Sequence, residues 1–294
     1  MLDYPALAAV SAIISEGSFE RAAGVLGISP SAVSQRVRTL EERLGAILIV
    51  RGQPCILTNL GQTLMAHFDR VRLLEDELGP ELVHGQTHSR LPLKVAVNSD
   101  SLATWFPEAA KTFGEATGTP LDILLDDEGH TVERLRSGEV LAAVTAETGE
   151  VPGCRKFPLG SLKYMACASP EFVQRYFADG VDADGLAKAP CLRFDRRDDL
   201  QAQWVKQTLN VALDAPIYSV ASTHGFLDLA AAGLAWGMQP VGLAEPRIAE
   251  GTLVELVPDT RLAVPLNWIV SRLPVASLGR LTDAIRSTAK VALR

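Results

Sequence analysis

Between Ser18 and Arg51 the chain reads SFERAAGVLGISPSAVSQRVRTLEERLGAILIVR, and this stretch limits what the N-terminal region can become more than any other. Ala22 and Ala23 are small enough to let two helices approach, and Gly27 provides a tight turn. Ser29-Pro30 then supplies a cap followed by proline at the first helical position. Val33, Val37, Leu40 and Leu44 recur at helical spacing until Gly45 stops the run. Upstream, Leu7, Val10, Ile13 and Ile14 predict another helix from Pro5 to about Ser15, ended by Glu16-Gly17. Downstream, the β-rich runs Ala46–Val50 and Cys55–Leu57 flank the polar Arg51-Gly52-Gln53-Pro54 and predict a hairpin. Three compact helices and a hairpin make a winged helix-turn-helix over residues 1–60.

The capped third helix turns Pro30, Ser31, Ser34, Gln35 and Arg38 away from its apolar stripe. A helix of this kind enters the major groove of double-stranded DNA by its N-terminal end, where hydroxyls and an amide reach base edges and arginines reach phosphates or guanine. The candidate DNA contacts are therefore Ser29, Pro30, Ser31, Ser34, Gln35, Arg36, Arg38 and Arg51; a plain three-helix domain is the alternative. The formal net charge of −7 argues against a protein that coats nucleic acid without specificity. Residues 1–60 carry five arginines against five acids, 5 − 5 = 0, so the acidic excess lies downstream.

Leu57, Leu60, Leu64, His67, Val71, Leu74 and Leu78 follow a 3-4-3-4-3-4 spacing that is apolar everywhere except His67 and is broken by Gly79-Pro80. The six apolar positions predict a dimerisation seam on a long linker helix, or else an amphipathic helix packed on its own domain. Residues 83–90 are polar and aperiodic, as suits a hinge. Beyond Leu91, short β-runs alternate with helical stretches in two similar series: Leu93–Val97, a helix around Leu102–Thr117, Leu121–Leu125, a helix at Thr131–Arg136 and Val140–Ala146, then Lys163–Ala168, a Ser169-Pro170-capped helix, Cys191–Phe194, a helix near Leu200–Leu209, Ile217–Val220, a helix to Gly233 and Ala235–Gln239; the strand Leu266–Ser271 and a terminal helix from about Val275 to Leu293 are left to complete the first. The expected organisation is α/β overall: a DNA-binding domain at 1–60, linker helix and hinge at 61–90, and a two-lobed domain at 91–294. Lobe I takes about 91–165 and 266–294, and lobe II about 166–265.

With 47% hydrophobic and 21% charged residues the chain is globular rather than disordered. No run reaches the ~18 apolar residues of a membrane span, and the N-terminus lacks a basic leader, so no membrane association and a cytoplasmic location are expected. Cys55, Cys154, Cys167 and Cys191 form no metal or disulfide spacing, and the five histidines (67, 84, 88, 130, 224) show none either. No phosphate-binding, zinc-protease or nucleophile-elbow motif is present, so no catalysis, metal or cofactor is expected.

Ala22, Ala23, Leu26, Ser29, Ala32, Val33, Ser34, Leu40, Glu41, Leu44, Gly45, Leu48 and Arg51 together resemble the signature of the LysR-type transcriptional regulators; Leu57-Thr58 and Gly61 fit that family's entry into its linker helix. The resemblance implies a two-lobed, periplasmic-binding-protein-like effector domain, a homodimer or homotetramer, and RNA polymerase as a candidate partner. A narrower resemblance lies in Phe19–Ala23, Ser34–Arg36, Val97–Trp105 and Glu133–Val140, which look like the ArgP/LysG branch. That branch senses lysine, arginine or histidine and controls amino-acid export or metabolism. Two departures stand out: Pro30 occupies a position where the family often has glutamine, and the wing keeps Arg51 but has no further basic residue.

A two-lobed domain binds its ligand between the lobes, near strand ends. Asn98, Ser99, Asp100 and Ser101 follow a strand and open a helix, so hydroxyls and amides could take a carboxylate and Asp100 an ammonium; ordinary capping is the alternative. Asp126, Asp127 and Glu128 end the next strand with three acids suited to a cationic side chain, or form a solvated loop. Thr223 and His224 open another helix, His224 where near relatives tend to carry an acid. Thr145, Asp195 and Trp105 complete the candidate effector lining, with Trp105 equally at home in a core. Rival readings are a different effector, a two-lobed enzyme, or a thiol redox sensor using Cys154, Cys167 or Cys191.

Overall fold

The computed structural model describes residues 2–77, 91–126, 131–147 and 149–293. The predicted helices at the start of the chain are α1 (Tyr4–Glu16), α2 (Phe19–Leu26) and α3 (Pro30–Leu44). Each is capped from its own sequence: Asp3, Ser18 and Ser29 accept the backbone N–H of Ala6, Arg21 and Ala32 at 3.0–3.2 Å. Gly27 and Gly45 end α2 and α3 in the left-handed conformation that glycine adopts without a Cβ penalty. Ala22, Ala23, Val33, Val37 and Leu40 meet Leu7, Val10 and Ile13 in one buried cluster.

The hairpin is shorter than predicted, with β1 (Ile49–Val50) paired antiparallel to β2 (Ile56–Leu57). The reason lies in competing partners. Glu41 Oε1 accepts the N–H of Leu48 at 2.7 Å and of Ile49 at 3.3 Å, and Cys55 N donates to the Gly17 carbonyl at 3.2 Å. Backbone donors that would have extended the ladder instead pin the wing to α3 and to the turn after α1.

The linker helix α4 (Asn59–Glu77) begins two residues beyond Leu57, so Leu57 belongs to the wing and not to the helical seam. Thr58 Oγ1 accepts the Gly61 N–H and donates to the Ile47 carbonyl. A Cβ at position 61 would overlap the Leu48 carbonyl, so only glycine lets α4 start this close to the wing. Met65 and Phe68 are buried in the winged core and Leu64 packs against it, whereas Leu60 and Leu74 are exposed and Val71 is half-buried. Leu78 lies outside the described residues. His67, the one polar residue of the seam pattern, lies 3.2 Å from Tyr4 Oη on α1.

The second domain is built on β3 (Leu93–Asn98), α5 (Ser99–Ala103), α6 (Phe106–Thr117), β4 (Leu121–Asp126), α7 (Thr131–Ser137), β5 (Ala142–Thr145), β6 (Cys154–Ala168), α8 (Pro170–Tyr176), α9 (Ala183–Lys188), β7 (Cys191–Arg193), α10 (Leu200–Leu209), β8 (Ile217–Ser219), α11 (Thr223–Ala231), β9 (Gly237–Pro240), α12 (Val241–Ala249), β10 (Val254–Glu255), β11 (Leu262–Ser271) and α13 (Ala276–Ala292). Strands β4, β3 and β5 run parallel, and β11 joins them antiparallel. β11 also pairs with β6 from Ser271↔Cys154 to Leu262↔Tyr164, and β9 pairs with β6 from Tyr164 to Cys167. Tyr164 thus sits where the long strand passes from one half to the other. β7 and β8 are parallel, and a bridge from Cys191 to Trp236 sets β7 beside the chain entering β9.

Three differences from the sequence reading have physical causes. The single helix expected around Leu102–Thr117 is split into α5 and α6, because Pro107 cannot donate and its ring would clash with the carbonyl four residues back. β6 and β11 each begin well before the apolar runs that predicted them. Pro158, Gly160 and Pro265 read as breakers, yet a register shift at Leu266/Asn267 absorbs them, and Gly160, at φ 122°, makes room for the Leu293 carbonyl. α12 has no counterpart in the sequence reading; it carries Pro246 inside its length.

The two domains meet along one side of α4. Asp69 pairs with Lys94 at 2.8 Å, Arg70 Nη2 donates to the Ser137 carbonyl at 2.9 Å, and Glu77 Oε1 accepts from Ala276 N at 2.9 Å. Leu73, on the same helix, is buried in the core of the second domain. α13, which has no side-chain cap of its own, is thereby capped from the linker helix.

Candidate nucleic-acid interface and inter-lobe cleft

On α3 and the wing, Ser29, Pro30, Ser31, Gln35, Arg36, Arg38 and Arg51 are exposed and Ser34 is half-buried. Ser29 Oγ lies 2.9 Å from Ser31 Oγ while it caps the helix, so its hydroxyl is partly committed to the fold. Gln35 Nε2 donates to Thr39 Oγ1 at 3.3 Å, a contact on an exposed helix face that a base edge could replace. The Arg51 guanidinium stacks over the Phe19 ring at 4.8 Å, which ties the wing to the start of α2 while leaving the charge at the surface. Among the described residues no carboxylate pairs with Arg36, Arg38 or Arg51.

A cleft of about 370 Å³ opens between the halves of the second domain. Its lining comes from the ends of β3 and β9, the start of α5, Ala146 after β5, Tyr164 within β6, the loop between β7 and α10 and the start of α10, the start of α11, and β11. Asn98, Ser99, Asp100, Asp195 and Thr223 line it. Asp100 is the hub: its carboxylate accepts from Tyr164 Oη and from Thr223 Oγ1, each at 2.6 Å. Since Thr223 donates there, its oxygen is left to accept from Ser99 Oγ at 2.8 Å. Burial pushes the Asp100 carboxyl above its ordinary value, the hydrogen bonds from Thr223 and Tyr164 oppose this, and the nearby charge of Asp198 adds to the rise.

Among the described residues that line the cleft there are four carboxylates, Asp100, Asp195, Asp198 and Asp199, against the single guanidinium of Arg197. Asp195 Oδ1 accepts from the backbone of Arg197 and Asp198, and Asp198 is held by Phe194 N, Leu200 N and Gln201 Nε2. Asp199 stands at the N-cap of α10, makes no side-chain capping bond and is exposed. Two carboxylates are therefore fixed by the loop, and a third is free to turn.

Several expected residues are elsewhere. Ser101, within α5, is fully buried, with Oγ lacking a partner. Thr145 is buried on β5, where its Oγ1 accepts from Glu147 N, and its neighbour Ala146 reaches the cleft instead. His224 is exposed and absent from the lining, because the first turn of α11 directs the adjacent Thr223 inward. Trp105 is core, set edge-on to Phe106. Asp127 and Glu128 lie outside the described residues. Tyr164, Asp198, Asp199, Gln203 and Gln239 line the cleft without any sequence expectation attached to them; Asp198 and Asp199 stand in plain view beside Asp195, in an acid-rich loop following a strand.

Burial pushes the thiols of Cys167 and Cys191 up to about 12 and raises that of Cys154 as well. Such thiols stay protonated near neutrality, which deprives the redox-sensor reading of its reactive thiolate. Among the described residues no group of three or more His, Cys, Asp or Glu could hold a metal ion, and no helix is long and apolar enough to cross a membrane.

Comparison with known proteins returns one family for both halves. Residues 5–62 match the bacterial regulatory helix-turn-helix of the lysR family, and residues 86–287 match the LysR substrate binding domain. The HTH-type transcriptional regulator LysG of Mycobacterium bovis is 41% identical over 288 residues, covering 98% of this chain and 94% of that protein. The crystal structure of ArgP from Mycobacterium tuberculosis is 40% identical, with a TM-score of 0.81 over 100% of this chain and 99% of that one. Full-length LysG from Corynebacterium glutamicum, solved with arginine as bound effector, is 36% identical with a TM-score of 0.70 over 100% of both chains.

Proposed function

The chain belongs to the LysR family of transcriptional regulators, and from that premise we propose that it switches operator binding in response to a basic amino acid held in the inter-lobe cleft. The observation that carries this reading is the charge of the lining, four carboxylates to one guanidinium, which favours a cationic ligand over an anionic or aromatic acid one. Arginine bound as effector in the Corynebacterium glutamicum LysG structure supports the same class of ligand. In this reading the Asp100, Ser99 and Thr223 cluster faces the amino-acid end of the effector and the loop 195–199 faces its cationic side chain.

DNA is contacted through Ser29, Pro30, Ser31, Ser34, Gln35, Arg36 and Arg38 of the α3 region and through Arg51 of the wing, by a dimer or tetramer assembled in part along Leu60, Leu64, Val71 and Leu74 of α4. At the promoter the machinery it acts on is RNA polymerase, in the cytoplasm, and the regulated genes serve amino-acid export or metabolism. The coupling is linkage: a ligand that favours one arrangement of the lobes favours one arrangement of the linker helices, and so one spacing of the winged domains. β3 is the direct mechanical route, because Lys94 at its start holds Asp69 of α4 and Asn98 at its end lines the cleft.

The test is mobility-shift binding of the purified protein to DNA upstream of its own gene and its divergent neighbour, at fixed salt, with and without lysine, arginine and histidine. Specific binding whose affinity or mobility changes with a basic amino acid is expected. Specific binding indifferent to all three overturns the effector class, and absence of specific binding overturns the DNA contacts.

A further inference from the structure

Of the four carboxylates in the cleft lining, Asp100 alone comes from the β3–α5 side; the other three belong to the loop after β7. Among the described residues no cation pairs with it. Its two oxygens are met by neutral hydroxyls instead, Tyr164 Oη donating to Oδ2 and Thr223 Oγ1 to Oδ1, each at 2.6 Å. An ionised carboxylate offers about four lone-pair positions, so roughly two remain. Asp100 is half-buried and lines the cleft, where a ligand can meet it.

The two donors differ in how firmly they are held. Thr223 opens α11 in the other lobe and shares its oxygen with Ser99, so its bond to Asp100 depends on how the lobes sit. Tyr164 is 4% exposed and lies on β6 with a ladder on each side, to Leu262 of β11 and to Pro240 of β9. Its phenol therefore projects from a backbone fixed at both edges, in the strand common to the two halves.

Electrostatics sets the need for such a donor. Burial pushes the Asp100 carboxyl up, the bonds from Thr223 and Tyr164 pull it down, and Asp198, from the loop between β7 and α10, adds to the rise. The other titratable groups of α11, His224 and Asp228, are exposed and outside the lining, as is Lys163 on β6; Lys94, at the far end of β3, is paired with Asp69. Removing the phenol thus leaves a desolvated carboxylate with one neutral donor and a like charge nearby, and a proton becomes the competitor of any cationic ligand.

We propose that Tyr164 is a positioning residue for effector recognition, whose phenol holds Asp100 as an ionised, oriented acceptor for the α-ammonium of the amino acid. The proposal rests on the reading of the cleft as a basic amino-acid site and adds what keeps the amino-acid end of that site charged before the ligand arrives. Tyr164 acts through Asp100 and needs no contact with the ligand itself.

The experiment is calorimetric binding of arginine to the full-length wild type and to the Tyr164→Phe, Asp100→Asn and doubly substituted variants, between about pH 5 and pH 8, with thermal melting of the same samples to report folding. Tyr164→Phe removes one oxygen and is expected to weaken arginine about tenfold at pH 5 and severalfold less at pH 8, because the carboxyl left behind takes up a proton more readily. In the Asp100→Asn background the same substitution should cost little, since the group through which it acts is gone. A loss that is equal at all pH values, no loss, or a loss undiminished in the Asp100→Asn background overturns the proposal, as does an Asp100→Asn variant that binds arginine as tightly as the wild type. If Asp100→Asn abolishes binding, the pH comparison decides. If Tyr164→Phe alone does not fold, the double variant decides through its melting: folding recovered on adding Asp100→Asn supports an action on the Asp100 charge, and folding not recovered overturns it. A wild type that binds neither arginine nor lysine at any pH rejects the basic amino-acid reading itself and the role of Tyr164 with it.

Discussion

The winged domain and the inter-lobe cleft carry the two halves of the function, and they are assembled in opposite ways. The DNA-reading surface lies within one unbroken stretch, where caps at Ser18 and Ser29, turns at Gly27 and Gly45 and the Glu41 bonds to the wing are all short-range. The cleft draws Asp100 from one lobe, Thr223 from the other and Tyr164 from the strand between them, and closes them into one hydrogen-bonded cluster. A locally built surface is sensitive to backbone fit. A cleft built from distant segments is sensitive to how the lobes sit and to which charges they bring together.

The largest effect should separate the two regions outright. Gly61→Ala places a Cβ against the Leu48 carbonyl and forces α4 away from the wing, at a cost of about 1–3 kcal/mol in the winged domain. Urea denaturation should register that loss and operator affinity should fall, while calorimetry still detects effector binding; loss of both together would mean that the regions are not independent. A smaller effect belongs to Asp100. Its carboxyl holds a proton more tightly when folded than an ordinary aspartate at 3.8, so the native state binds more protons just above that value and stability declines as pH rises through the window. Asp100→Asn should flatten that slope in denaturation series from about pH 4 to 7, and an unaltered slope would remove Asp100 as its source. The smallest concerns the wing. Arg51→Ala should lower the salt dependence of operator binding by about one unit of slope for each phosphate that the guanidinium neutralises, and an unchanged slope would mean that Arg51 serves the Phe19 stack alone.

The same contrast explains what is legible in the sequence. Helices α1 to α3 and their ends follow from apolar spacing and capping residues, because the interactions that fix them lie three or four positions apart. The alternation of strands and helices beyond Leu91 is legible too. What escapes depends on tertiary partners: the polar early part of β6 is a strand only because β11 pairs with it, and the hairpin is short only because Glu41 and the Gly17 carbonyl take its donors. In the cleft, Asn98 to Asp100 and Thr223 can be found as residues following strands or opening helices. Tyr164 and Gln239 sit inside strands with no local pattern to mark them, and His224 reads as lining only because one helical step separates inward Thr223 from an exposed neighbour.

The central claim is that the cleft selects positive charge. It is tested most directly by calorimetric titration of the full-length wild type with arginine and with citrulline, which has nearly the same shape but a neutral ureido head, with a carbonyl oxygen in place of one guanidinium nitrogen. The four-carboxylate lining requires arginine to bind at least about tenfold more tightly, about 1.4 kcal/mol, and to lose that advantage as salt is raised. Equal affinity for the two would contradict the account, whatever the effector then proved to be.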